Sequence, residues 1–157
     1  MPSTDVDYIR ERIGGYTDRG TFAGCREQNL RGGTVAFTFR WLLGADFELR
    51  VDPKKGELVC VDLLPQVPQR SHLDREIRRY IASRTDAELP AHRRMDPDKV
   101  GLKFRNRAGN GTLSMSLRVE DSAYALKALF ILLNDLFAWL QLYHIDYLQQ
   151  NFGLPEE

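Results

Sequence analysis

The sequence predicts an α+β domain. An antiparallel β-meander and a β-hairpin carry packing helices in the order α-β-β-β-β-α-β-β-α, and a long C-terminal helix closes the chain. Three observations predict this. Apolar and polar residues alternate through 34–42, 46–51 and 57–64, and the connections between these runs are too short for crossover helices. A second alternating pair, 100–107 and 112–119, flanks Asn110-Gly111, a dipeptide that favours hairpin turns. Residues 121–152 then run without Gly or Pro and stop at Gly153 and Pro155.

The elements follow in order. Residues 3–13 read as a short helix: Ser3 or Thr4 can cap it, Asp5 and Asp7 suit its positive end, Val6, Ile9 and Ile13 make a narrow stripe, and Gly14-Gly15 ends it. A weak strand spans 22–30, and Arg31-Gly32-Gly33 turns the chain. In the next strand Val35, Phe37, Phe39 and Trp41 alternate with Ala36, Thr38 and Arg40. Phe47, Leu49 and Val51 mark another strand, and 52–56 turns through Pro53 and Gly56 into a strand over 57–64. Ser71 and Asp74 form a capping-box variant that opens a helix to about Ser83, with Leu73, Ile77, Tyr80 and Ile81 inward. Residues 85–98 read as a polar loop.

The last helix is apolar on more than one side. Leu126, Leu129, Phe130, Leu133, Leu136, Phe137, Leu140 and Tyr147 share a core-facing stripe. Ala128, Ile131, Leu132, Trp139 and Leu142 lie on the opposite face, interrupted by Asp135 and Asp146. Either a second layer of the domain or a partner covers that face. Ile131, Leu132, Asp135, Trp139 and Leu142 are therefore the candidate binding residues, with Trp139 as anchor, and a homodimer about a two-fold axis is the expected assembly. No membrane span is expected, because Lys127, Asn134, Asp135, Gln141 and His144 fall within the apolar stretch.

The 157 residues suffice for one domain, 1–157, with a real core. Formal net charge is zero, so no global field draws the chain to nucleic acid or an anionic membrane. The opening residues MPSTDVDY have neither a basic start nor an apolar core, so no secretory leader is expected and a cytoplasmic location is the default. Charge is uneven along the chain. Residues 64–107 carry a net +5, whereas 108–157 carry a net −4. Arg75, Arg78, Arg79, Arg93 and Arg94 make a candidate patch for an anionic partner. Interleaved Asp74, Glu76, Asp86 and Glu88, with Tyr80 as the one aromatic nearby, make nucleic-acid binding the unfavoured use of this segment.

No catalytic set is expected. Arg107-Ala108-Gly109-Asn110-Gly111 lacks the ending of a phosphate-binding loop and joins two strands. His72, His92 and His144 are scattered, without metal-ligand spacing, so no metal and no cofactor is expected. Cys60 lies in an apolar strand, where thiols are inert, and Cys25 has no assignable base. Asp135 and Asp146 are odd carboxylates for so apolar a helix. They either face solvent or pair with Arg side chains of the basic middle segment.

The order helix, meander, helix, hairpin, long helix resembles the type III secretion chaperone-like fold, which includes the YbjN-like bacterial proteins, over nearly the whole chain. The resemblance lies in element order and length. It implies a homodimer that holds an extended partner segment on its surface. The expected function is thus a non-enzymatic protein-binding module, chaperone-like or adaptor-like, that takes an apolar or extended polypeptide client. The alternative is a small-molecule sensor or enzyme with a pocket between the sheet and the C-terminal helix, where groups such as Asp135 and His144 would converge.

Overall fold

The structure, a computed structural model, describes residues 6–90, 94–117 and 122–153. The expected cap at Ser3 or Thr4, the loop residues His92 and Arg93, and Asp121 at the start of the last helix lie outside the described residues. The α+β class and the element order are those the sequence predicts: α1 (Val6–Asp18), β1 (Ala23–Asn29), β2 (Val35–Arg40), β3 (Asp46–Asp52), β4 (Glu57–Leu64), α2 (His72–Ser83), β5 (Val100–Arg107), β6 (Asn110–Leu117) and α3 (Ser122–Tyr143), with the C-terminal run completed by α4 (Ile145–Phe152).

The strands form one six-stranded sheet in the order β1-β2-β3-β4-β6-β5, and every neighbouring pair is antiparallel. The α2 segment interrupts the meander after β4. The chain therefore returns along the far edge as β5 before β6 pairs with β4. One sheet face carries Phe37, Phe39, Phe47, Leu49, Val51, Leu58, Cys60, Leu113 and Met115, all buried. Their cross-strand partners share that face, as Phe39↔Phe47, Leu49↔Cys60 and Leu58↔Met115 show. The stripe of α3 from Leu126 to Leu140 covers it, each residue at most 6% exposed. At ~1.5–3 kcal/mol per buried Leu or Phe, this contact supplies a large share of the core. Phe130 meets Phe22, Trp41 and Tyr16 edge-on, each with ring centroids 5.4 Å away.

Three local readings needed correction. Gly14-Gly15 does not end α1, which continues to Asp18. Each glycine costs about 1 kcal/mol in a helix, but Tyr16 one turn beyond Ile13 (with Ile9 and Ile13 buried) packs on Phe22 and Phe130, and that packing holds the extra turn. The hairpin turn is not Asn110-Gly111. It falls on Ala108 and Gly109, with φ of 54° and 83°, and Arg107 pairs with Asn110. Gly111 stands in the strand instead, beneath Phe104, where a Cβ would lie 2.5 Å from the ring.

The third correction concerns the last helix, which is two helices. His144, with φ −142° and ψ 46°, breaks it although no Gly or Pro is near. The helical pattern persists up to the break, where the His144 N–H donates to the Leu140 carbonyl at 2.7 Å. At 1.5 Å per residue the 22 residues of α3 already span ~33 Å, beyond the ~27 Å of an eight-residue strand. A straight continuation would carry Tyr147 and Leu148 past the sheet. The bend turns both inward: Leu148 is fully buried, and the Tyr147 hydroxyl donates to the Pro65 carbonyl at 2.5 Å. Gly153, in the left-handed region at φ 68°, then ends α4 as expected.

By length and composition α3 could cross a membrane, and 56% of its apolar window is buried inside the molecule.

Candidate interaction surface

The second face of α3 is covered from α2, and the way α2 is fixed decides what remains exposed. Ser71 caps it, accepting the Asp74 N–H at 3.1 Å. Asp74 is buried and ties the helix to the sheet edge. Its carboxylate accepts from the Asn106 amide of β5 at 3.1 Å, from Arg78 at 3.2 Å and from the Arg70 N–H at 3.2 Å. Burial opposes its ionisation, but these three hydrogen bonds hold its carboxyl below the usual carboxylate range. Arg78 also donates to the Phe104 carbonyl at 2.9 Å, and Gln69 donates to the Asn106 carbonyl at 2.7 Å. Side chains from the α2 segment thus occupy outward carbonyls of edge strand β5.

So anchored, α2 meets α3 along Tyr80 and Arg84. Arg84 lies 2.8 Å from Asp135, and its guanidinium is 5.3 Å from the Tyr80 ring centroid. Tyr80 stacks on Trp139 with centroids 4.7 Å apart and planes 21° from parallel. Of the two placements open to Asp135, pairing with an Arg of the middle segment is the one found. Leu132 is 1% exposed, while Ile131, Asp135 and Trp139 are half-buried. Leu142 differs from them all at 77% exposed.

Leu142 is not alone. Tyr143 is 69% exposed and Ile145 is 40% exposed, so among the described residues the large exposed apolar side chains gather at the α3–α4 break. Trp139 joins them through Tyr143 at 6.3 Å and His144 at 4.9 Å between centroids. The rim is polar and of mixed sign: His72 sits 3.4 Å from Glu76, Arg79 sits 3.5 Å from the same carboxylate, and Asp146 is exposed on α4. Burial pushes the His144 imidazole below its usual pKa, with Glu76 raising it and His72 lowering it.

The described arginines of the candidate patch are each engaged locally. Arg75 donates to the Arg70 carbonyl at 2.7 Å, Arg78 to Asp74 and Phe104, Arg79 to Glu76, and Arg94 to the Ala87 carbonyl at 2.9 Å. Arg93 lies outside the described residues. The two groups named for a pocket between sheet and helix are also apart. Asp135 on α3 and His144 at its end stand nine positions apart, ~13 Å along the helix axis. No group of three or more His, Cys, Asp or Glu suited to a metal ion occurs among the described residues. Cys60 is buried, which pushes its thiol up to about 12, and burial likewise raises the half-buried Cys25 thiol.

The sequence reading names Trp139 and Leu142 as site residues, but not Tyr143 and Ile145. Yet Tyr143 follows Trp139 by four residues and Ile145 follows Leu142 by three, so helical spacing already carried their signal. What the sequence does not mark is the break at His144.

Comparison with known proteins found no matching family model, no matching curated protein and no matching solved structure.

Proposed function

We propose that the chain is a protein-binding module, chaperone-like or adaptor-like, and that the patch at the α3–α4 break anchors an apolar segment of a polypeptide client. One observation carries this reading: Leu142, Tyr143 and Ile145 stand exposed beside Trp139 at a rigidly packed corner. Such residues cost free energy in water and are the types that dominate protein interfaces. The setting also suits recognition. Tyr80 beneath Trp139 and the Arg84–Asp135 pair beside it fix the indole in advance, so little side-chain entropy is lost on binding. The mixed-sign rim of His72, Glu76, Arg79 and Asp146 matches a polar border around an apolar centre. The likeness of element order to the type III secretion chaperone-like fold supports the same reading.

Site-directed photo-cross-linking tests it. A photoreactive phenylalanine replacing Leu142 should trap a discrete polypeptide in cells, whereas the same group replacing Ser116, exposed on the opposite sheet face, should not. A cross-link only to a second copy of this chain would make the patch a homodimer interface and contradict the client reading. Equal, diffuse labelling from both positions would contradict any specific surface here.

A further inference from the structure

The cations of this chain divide into two sets. Arg10, Arg40, Arg50, Arg78, Arg79 and Arg84 each lie within ion-pair distance of a carboxylate. The remaining Arg and Lys side chains do not, among the described residues, and four of these, Arg12, Arg19, Lys99 and Lys127, gather about one place. It is a cleft of about 240 Å³ between α1 and the first turns of α3, lined by Tyr8, Arg12, Tyr16, Tyr124 and Lys127. Tyr8, Arg12 and Tyr16 recur every fourth residue and so share one face of α1, and Tyr124 and Lys127 are neighbours on α3.

The walls are fixed rings. Tyr16 packs on Phe22 at 5.1 Å and on Phe130 at 5.4 Å, and the Tyr124 hydroxyl accepts the Asp96 N–H at 2.8 Å. The cations lie over those rings. Arg12 and Arg19 are 5.5 Å and 4.9 Å from the Tyr16 centroid, and Lys99 is 4.7 Å from that of Tyr124. No carboxylate lines the cleft among the described residues. Arg12 and Lys127 are exposed at the mouth, and neither lies within ion-pair distance of a carboxylate among the described residues.

We propose that this cleft binds a small phosphate monoester bearing a planar ring. The phosphate dianion sits between Arg12 and Lys127, and the ring lies against the tyrosines. Two cations from different helices suit a dianion better than a single carboxylate. The volume lies just below the usual ~300–1,000 Å³ of small-molecule sites, a size in keeping with a small ester such as an aryl phosphate or a mononucleotide. Lys127 and Tyr143 stand sixteen residues apart on α3, ~24 Å along its axis, so this site is separate from the patch at the break.

Titration calorimetry at fixed ionic strength tests it, with adenosine 5′-monophosphate and phenyl phosphate as probes and with adenosine and inorganic phosphate as the separated halves. At least one ester should saturate a single site more tightly than either half. Arg12→Ala and Lys127→Ala should each weaken it about ten-fold, the loss of one charge-assisted contact. Both side chains are exposed, so circular dichroism should show an unchanged fold. Leu142→Asp should leave the affinity unaltered, which separates this outcome from that of the client reading. Failure of both esters to saturate, or binding by both alanine variants as tight as that of the parent, would overturn the proposal.

Discussion

Arg84 and Asp135, 51 positions apart in the chain, meet at 2.8 Å with only 10% and 15% of their side chains exposed. This contact joins the end of α2 to the middle of α3 and sits directly beside the stacked pair of Tyr80 and Trp139. It converts what reads in sequence as a second apolar face into an internal seam.

Breaking the pair from one side should be costly. Arg84→Ala or Asp135→Ala leaves a charge largely buried, and each should lower the unfolding free energy by about 3 kcal/mol. The double replacement Arg84→Met with Asp135→Leu should recover most of that loss, since no charge is left behind. Urea denaturation of the three variants checks both statements.

Asp74 predicts the acid limb of stability. Its carboxyl titrates lower in the folded chain than in the unfolded one, so the native state binds fewer protons there. The stabilisation is therefore complete above the ordinary carboxylate value of ~3.9. It is lost as pH falls through the lower folded value. Asp74→Asn should flatten the fall in urea midpoint between neutral and strongly acidic pH. It should also reduce stability at neutral pH, because Arg78 and the Arg70 N–H lose an anionic acceptor.

The β5–β6 hairpin should respond to two small changes with opposite signs. Ala108 stands at φ 54°, where a Cβ costs ~1–2 kcal/mol, so Ala108→Gly should raise the melting temperature. Gly111→Ala places a Cβ 2.5 Å from the buried Phe104 ring and should lower stability by ~1–3 kcal/mol. Thermal unfolding of both variants reads the difference directly.

The architecture was legible because alternation and helical spacing survive in the sequence wherever one face is buried. Phe37, Phe39, Leu49 and Leu58 reveal the sheet, and Leu126 through Leu140 reveal its cover. What was not legible depends on pairs distant in the chain. Gly14-Gly15 looks like a helix stop until Tyr16 is seen against Phe130. Asn110-Gly111 looks like a turn until Phe104 is seen to claim the space over Gly111. The break at His144 has no local marker because its cause is the burial of Tyr147 and Leu148 against elements far earlier in the chain. The site is limited by this only at the break itself. Trp139 and Leu142 follow from helical spacing, and so do Tyr143 and Ile145, four and three residues beyond them; what spacing does not show is that the helix breaks beside them.

The most direct measurement is the affinity of the corner for peptides. A random peptide library is panned on the purified protein, and recovered sequences are measured by fluorescence anisotropy against it and against Leu142→Asp/Tyr143→Asp. Both replaced side chains are largely exposed, so the variant should keep the parent melting temperature. The protein should select peptides rich in apolar residues, and the variant should bind them at least about ten-fold more weakly, the loss of one interface hot spot. If no peptide is enriched, or if the folded variant binds as tightly as the parent, the patch at the α3–α4 break is not a client-binding surface.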